Sequence, residues 1–568
     1  MTPLTLEGRD LIDDLLDEQA SFSAVETFAQ RHDAGDLPEQ ARYYKELLPA
    51  SAPGPGQQYA FRVDLDACSG CKACVAGCHS MNGLDDGETW RDVGQLVGVS
   101  GDHERPLDGL IQDIAGAQTE IPGVQHITTA CHHCVDPGCL SGCPVKAYDK
   151  DPVTGVVVHL DDQCIGCQYC IFKCPYDVPK YSPERGIVRK CDMCTGRLAE
   201  GEAPACVAAC PTQAISIQLV EVQDIEKRGG DGVSMPGAPD PTYTLPTTQY
   251  VGERAQALTT TTESADAKTP QPEHAHTPLI AMLTLTQAAV GVLIAAVALD
   301  VLAALGLALG FGGAPRLAVV GAATAAGLAG LISSTLHLGR PQYAFRALLG
   351  LRTSWLSREI AGFGGWFNTV LLYAGLLVLA PDLWGGAPRL LLGGGVVLTG
   401  LAAVFCSGMI YYDTPRPLWA RWQTLASCYL TAAVLGGTGA LVLSAWPDAL
   451  PRAVAVLLAI TAAAATWLQF KSARSVGQDP ALRGSHQLLS GPLGPLVDLR
   501  NKLGVAGAFV LAPLAALLVL IGAPAALAGV VALTGFAATA AGEAIARTLF
   551  FTAVVAPKMP GQPQAAAA

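Results

Sequence analysis

Cysteine is nearly absent from most of this chain: of eighteen, only Cys406 and Cys428 fall outside residues 68–210. Histidine is scarce where it would matter for haem. Beyond residue 277 there are two, His337 and His486, and only His337 falls in an apolar span. A b-type haem held by two facing histidines therefore cannot be built within this chain, and no haem is expected. Basic charge is short in the front half. From residue 277 onward 16 Lys/Arg stand against 8 Asp/Glu, so the total of −13 leaves −21 on residues 1–276. So acidic a half excludes nucleic acid as a partner, because phosphate contacts need basic patches. No apolar core follows a basic start, which predicts neither a secretory signal nor a twin-arginine signal.

The sixteen remaining cysteines form four groups of four. The third, Cys164-x2-Cys167-x2-Cys170-x3-Cys174-Pro175, is the ligand run of a bacterial ferredoxin. The first, Cys68, Cys71, Cys74 and Cys78, repeats that spacing with His79 in place of proline. The second (Cys131, Cys134, Cys139, Cys143) and the fourth (Cys191, Cys194, Cys206, Cys210) each stretch one gap. Two residues between cysteines let a tight loop turn three thiolates onto one cubane. The fourth, three further on, points to the other cluster of a pair. Motifs therefore work in twos, the second with the third and the first with the fourth. Zinc needs no three-thiol run, and a disulfide framework suits short secreted chains. Four [4Fe–4S] clusters are expected, and a string of redox centres moves electrons over a distance.

The sequence divides into an N-terminal extension (1–56), an iron–sulfur domain (57–222), a linker (223–276), a membrane anchor (277–555) and a tail (556–568). The extension holds a helical stretch, Leu11–Gln30, then a Pro/Gly breaker run. Within the iron–sulfur domain, residues 147–160 predict a hairpin turning at Pro152–Gly155, and Ile215–Ile217 a strand. Residues 79–130 read as an insertion. The Thr-, Pro- and Gly-rich 223–276 shows no periodicity and reads as flexible. Beyond Pro278 come eight apolar runs, each able to cross about 30 Å of hydrocarbon. They are Leu279–Leu302, Leu317–Leu338, Ile360–Leu379, Leu390–Tyr411, Thr424–Ser444, Val454–Phe470, Val505–Ile521 and Ala525–Phe551. The fold class is thus an α+β ferredoxin-like domain carrying four [4Fe–4S] clusters, followed by an all-α polytopic domain of eight transmembrane helices. Trp366, Trp384, Trp419, Trp422 and Trp446 are expected at the interfaces.

Sidedness follows from loop charge. Connections after even-numbered spans, with the tail, carry twelve Lys/Arg against three (Arg316, Arg389, Arg452) on the other face. The positive-inside rule puts the iron–sulfur domain on the cytoplasmic face of the membrane, in a bacterium the inner one. On the same face, polar residues gather at span ends: His337 and Arg340, Arg358 and Glu359, Tyr411 and Asp413, then Glu543 and Arg547 one turn apart. Ionisable residues at membrane depth mark a proton or ligand pathway. They predict a quinol site in which His337 accepts a proton and Glu359 orients it or carries the proton onward. Arg340, Glu543 and Arg547 would complete the site.

With these motifs the chain resembles the dimethyl sulfoxide reductase family of molybdoenzymes. Residues 57–222 are similar to its four-cluster electron-transfer subunit. Residues 277–552 are similar to its haem-free eight-span anchor, through Leu336-His-Leu-Gly-Arg-Pro341, Ser354-Trp-Leu-Ser-Arg-Glu359 and Gly542-Glu-Ala-Ile-Ala-Arg547. The two subunits, separate in most relatives, are fused here. The resemblance implies Cys68, Cys71, Cys74 and Cys210 on one cluster, with Cys191, Cys194, Cys206 and Cys78 on its mate. It implies Cys131, Cys134, Cys139 and Cys174 on a third, and Cys164, Cys167, Cys170 and Cys143 on the fourth. With Cys167 intact, no three-iron cluster is expected. It further implies a separate molybdopterin-containing catalytic subunit and exchange with a membrane quinone pool, menaquinol or ubiquinol. A reductase would draw electrons from quinol. A sulfite-oxidising relative would run the relay in reverse, and a quinone-linked complex without molybdenum is the third reading.

Overall fold

The computed structural model describes residues 5–6, 9–10, 46–98, 124–229, 236–253, 262–267, 270–306, 313–379 and 387–561. The helix expected over Leu11–Gln30, and Trp384, lie outside them. The front half rests on small sheets that hold the cysteine loops. Strand Gln57–Asp64 pairs antiparallel with Ile215–Glu221, so the two ends of the iron–sulfur domain close on each other. Its Ala60, Phe61 and Val63 are buried while Arg62 stays in solvent. Asp92–Gly98 pairs antiparallel with Val124–Thr129 inside the insertion. The predicted hairpin forms, Tyr148–Lys150 against Val157–His159, and a second follows at Lys180–Ser182 and Ile187–Arg189.

The stretch expected to be a flexible linker takes part in both sheets. Gln249–Val251 runs parallel to Arg62–Asp64, and Thr262–Ser264 pairs with Leu96–Gly98. Strands of three residues are too short to show a period, which is why composition alone read as loop. The tail packs on the same domain through its described residues. Met559 is buried, the Gly561 carbonyl accepts from the Gln95 amide, and Lys558 Nζ lies 2.7 Å from Asp266 Oδ2. After eight spans the chain thus returns to the domain from which it entered the membrane.

Among the described residues, eight helices are long and apolar enough to cross a membrane: Thr277–Ala304, Gly313–Thr335, Trp355–Leu379, Ala387–Tyr412, Trp422–Ala445, Arg452–Gln478, Gly494–Leu520 and Ala525–Thr552. The first is the most enclosed and packs on the second, fourth, fifth and eighth. Near the far end of the first span, buried Asp300 meets Arg316 at 2.9 Å and accepts from the Tyr373 hydroxyl at 2.7 Å. Arg389 approaches at 3.9 Å. Two of the three cations counted on that face are therefore held by an internal carboxylate, as ionic groups at membrane depth must be. Two of the tryptophans expected at the interfaces are buried in the protein. Trp366 is 0 % exposed in the middle of the third span, where a Cβ on Gly400 would lie 2.9 Å from its Nε1. Trp419 is buried and donates to the Phe550 carbonyl at 2.8 Å.

Candidate electron-transfer site

The cysteine loops share one backbone device. The residue before the second cysteine of each run, Gly70, His133, Gly166 or Met193, has φ of +72°, +40°, +69° and +60°. This left-handed turn folds the loop back so that successive thiols converge. Glycine adopts it freely, whereas His133 and Met193 bear strain that the surrounding structure must hold.

Thiols near enough to repel one another as thiolates group into four sets, with contacts across sets as well: Cys191 also neighbours Cys131, and Cys74 also neighbours Cys206. Cys68 neighbours Cys71, Cys74 and Cys210. Cys78 neighbours Cys194 and Cys206, and Cys191 neighbours Cys78 and Cys206. Cys134 neighbours Cys131, Cys139 and Cys174; Cys170 neighbours Cys143, Cys164 and Cys167. In each set a thiol comes from another motif, which only the closed fold can supply. Backbone amides of Ala147, Gly166, Met193 and Ala214 donate to Cys143, Cys164, Cys191 and Cys210 at 3.2–3.4 Å. Such donors stabilise thiolate ligands and tune cluster potentials. Burial pushes the Cys78 thiol up to about 12 and the Cys174 thiol up to about 11, so iron loading must displace protons. Each set has the donor number and chemistry of one [4Fe–4S] cluster.

Two buried cations stand among these sets. Lys190 Nζ lies 3.8 Å from Cys131 Sγ and donates to the Cys191 and Val157 carbonyls. Burial lowers its pKa, but the thiolates of Cys131, Cys139 and Cys191 outweigh that and raise it overall. The Arg91 guanidinium sits 4.7 Å over the Phe61 ring with Cys206 and Cys74 nearby. Neither was singled out from sequence, where nothing distinguishes a lysine before a cysteine from any other.

The set of Cys143, Cys164, Cys167 and Cys170 faces the anchor. Its loops are tied down by backbone contacts: Arg340 N to the Ile165 carbonyl at 3.1 Å, Gly350 N to Pro144 at 2.8 Å, and Ser354 Oγ to Gly142 at 2.7 Å. Lys173 adds an ion pair to Asp413 at 3.1 Å. Arg340 serves this docking and does not line the cavity that holds His337. Its side chain donates to the Asp161 carbonyl at 2.9 Å and the Arg185 carbonyl at 3.3 Å.

Behind these loops is a cavity of about 290 Å³ lined by Cys167, Tyr169, Phe172, His337, Glu359 and Tyr411, with apolar walls from the first three spans. His337 stands past the end of the second span, which stops at Thr335, rather than within it. Its Nε2 is buried with no hydrogen-bond partner among the described residues. Burial lowers its pKa, so the imidazole favours its neutral form. Glu359 is 7 % exposed. A residue missed in the sequence packs against His337: His276, capping the first span, lies edge-on to it with centroids 5.3 Å apart. The signal was His274-Ala-His276 immediately before the first apolar run, hidden by assigning it to a linker.

Glu543 and Arg547 are elsewhere. They line a second cavity, of about 700 Å³, between the fifth, sixth, seventh and eighth spans and the short helix Arg483–Ser490 before the seventh. The two cavities share no lining residue, and the rings of Tyr411, Trp419 and Phe550, packed at 5.0–5.3 Å, stand between them. The expected five-residue quinol site is thus reduced to His337 and Glu359. The eighth span's polar pair instead meets the fifth and sixth spans: Glu543 accepts from Thr431 and Gln469, and Arg547 donates to Ser427 and Thr431.

Clustered thiols on an eight-span anchor define a membrane-bound iron–sulfur electron-transfer protein. Residues 123–220 match the family of 4Fe-4S dicluster domains, and residues 273–552 match the DMSO reductase anchor subunit, DmsC. The B subunit of the anaerobic dimethyl sulfoxide reductase of Escherichia coli (strain K12) is 33% identical over 189 residues, covering 33% of this sequence and 86% of that protein. Its Haemophilus influenzae counterpart is 32% identical over 190 residues, covering 34% and 87%. The iron–sulfur subunit of Escherichia coli formate dehydrogenase-O is 33% identical over 194 residues, covering 32% and 62%. The protein belongs to the dimethyl sulfoxide reductase family as a fusion of its iron–sulfur and anchor subunits.

Proposed function

We infer that the protein oxidises quinol in the His337 cavity and passes the electrons through four [4Fe–4S] clusters to a separate molybdopterin-bearing catalytic subunit. The observation that carries this reading is the cavity wall: Cys167, a ligand of the anchor-facing set, and His337 line the same space. Its volume suits a quinone ring, with the tail left among the apolar walls. When bound, the clusters supply one-electron carriers in a row. Quinol oxidation releases two protons with two electrons, so the site needs a base beside the electron exit. Neutral His337, with a free Nε2, accepts from the quinol hydroxyl, and Glu359 takes the second proton or passes the first onward. The Asp161 and Ile165 carbonyls hold Arg340, and through it the loop that presents His337. The iron–sulfur domain faces the cytoplasm of a bacterial inner membrane on this reading, after the loop charges.

The test is His337→Ala in the full complex. Quinol-linked turnover falls by about 10²–10⁴-fold, the usual worth of a positioned general base. Iron content and reduction by dithionite are unchanged. Equal loss of iron and activity would make His337 structural, and full activity would move the site. The same relay run toward quinone, from sulfite or a similar donor, uses the same residues and is distinguished by the partner subunit.

A further inference from the structure

We propose that the 700 Å³ cavity of the second half of the anchor binds an anionic amphiphile with a phosphate headgroup, taken from the leaflet on the iron–sulfur side. Four guanidinium groups line it. Arg500 and Arg547 form its floor, 8 % and 3 % exposed, and Arg421 and Arg474 lie nearer its rim. Glu543 is the one carboxylate among the described lining residues, and it is already engaged by the Thr431 hydroxyl at 2.6 Å and the Gln469 amide at 3.1 Å. None of the four arginines is ion-paired with a carboxylate among the described residues. The cavity therefore carries a surplus of positive charge, and the buried part of it, on Arg500 and Arg547, is costly without a counter-charge. Arg547 adds a buried donor, Nε, that has no partner among the described residues.

Neutral polar groups such as Ser427, Thr431 and Gln469 also line the cavity, and part of the wall is apolar. Leu418, Leu430, Phe470, Leu489, Val497 and Leu549 offer a wall for an acyl tail rather than for a hydrated ion. A guanidinium fork matches phosphate oxygens two at a time. All four arginines stand at the iron–sulfur ends of their spans or in the connections there, at the level of a lipid headgroup. A quinone has no charge to meet four cations, and the aromatic wall of Tyr411, Trp419 and Phe550 separates this cavity from the clusters.

The full-length protein, cluster-loaded and delipidated in detergent, is titrated by native mass spectrometry with phosphatidylglycerol, phosphatidylcholine of the same acyl composition, and inorganic phosphate. One phosphatidylglycerol is retained per protein, at least about ten-fold more tightly than phosphatidylcholine. Arg474→Gln weakens it by about ten-fold, Arg474→Lys largely keeps it, and both retain wild-type iron content. Equal retention of the two lipids, or an unchanged Arg474→Gln, overturns the proposal. Displacement of phosphatidylglycerol by millimolar inorganic phosphate assigns the cavity to the free anion and overturns the amphiphile.

Discussion

Gly339 of the anchor lies backbone to backbone against Gly186 of the iron–sulfur domain, so close that a Cβ on Gly339 would collide with the Gly186 carbonyl. Gly166, between two cysteines of the third motif, is part of the same contact: a Cβ there would lie 2.9 Å from Gly339 N. The anchor's His-Leu-Gly-Arg loop thus seats directly on a cluster loop, and side chains are excluded so that the backbones can meet. Gly339→Val forces the two apart. Overpacking of this kind costs about 1–3 kcal/mol, which weakens the docking by about 5–150-fold. Quinol-driven reduction of the clusters should slow, while dithionite reduction and iron content hold, as followed by visible absorbance of the anaerobic protein. Unaltered quinol-driven reduction would show that this contact does not carry the coupling.

Much of this was legible in the sequence, for physical reasons that differ by feature. Ligand loops such as Cys164–Cys170 are local, since thiols two residues apart must turn onto one centre whatever surrounds them. The eight spans are legible because bilayer thickness sets their length. His337 and Glu359 came together because topology fixes which span ends share a face. Topology does not fix how a helix is rotated about its axis, and this is why Glu543 and Arg547 were joined to the wrong site. Arg340 was misjudged for a related reason: a cation at a span end can serve a docking carbonyl as readily as a ligand. Trp366 shows the limit of composition, its indole being needed by the core rather than the interface.

Sixteen thiols in four sets predict about sixteen iron atoms per protein, four to a cubane. Cys406 and Cys428, in the fourth and fifth spans, stand outside every set. Serine at either leaves iron and acid-labile sulfide unchanged in anaerobically purified protein. Serine at Cys167 instead disturbs the anchor-facing cluster and quinol-driven reduction together. Eight irons, or a dependence on Cys428, would break the four-set assignment.

The twelve-to-three charge bias gains force from Asp300, which already satisfies Arg316 and approaches Arg389, leaving Arg452 as the remaining loop cation of the far face. A reporter fused after Ala568 is therefore expected in the cytoplasm, and one inserted before Arg389 outside. Activity of the first only in the periplasm would reverse the orientation and require export with a signal-bearing partner.

The returning tail should be held by a charge pair with a defined acid limit. Burial raises the Asp266 carboxyl, but Lys558 at 2.7 Å and the Ser264 hydroxyl more than offset this and hold it below the ordinary aspartate range. A carboxyl with a depressed folded-state pKa stabilises above its unfolded value of about 3.9 and loses that contribution as pH falls through the folded value. Tail docking should therefore be flat from neutral pH to about 5 and fail only in stronger acid. Lys558→Ala should loosen it across the whole range. Carboxypeptidase trimming, followed by mass, reads this directly: at about pH 7 trimming of the wild type goes no further than Gly561, whereas Lys558→Ala is trimmed past it. Equal trimming of the two would leave Met559 burial and the Gln95–Gly561 bond as the forces that keep the tail in place.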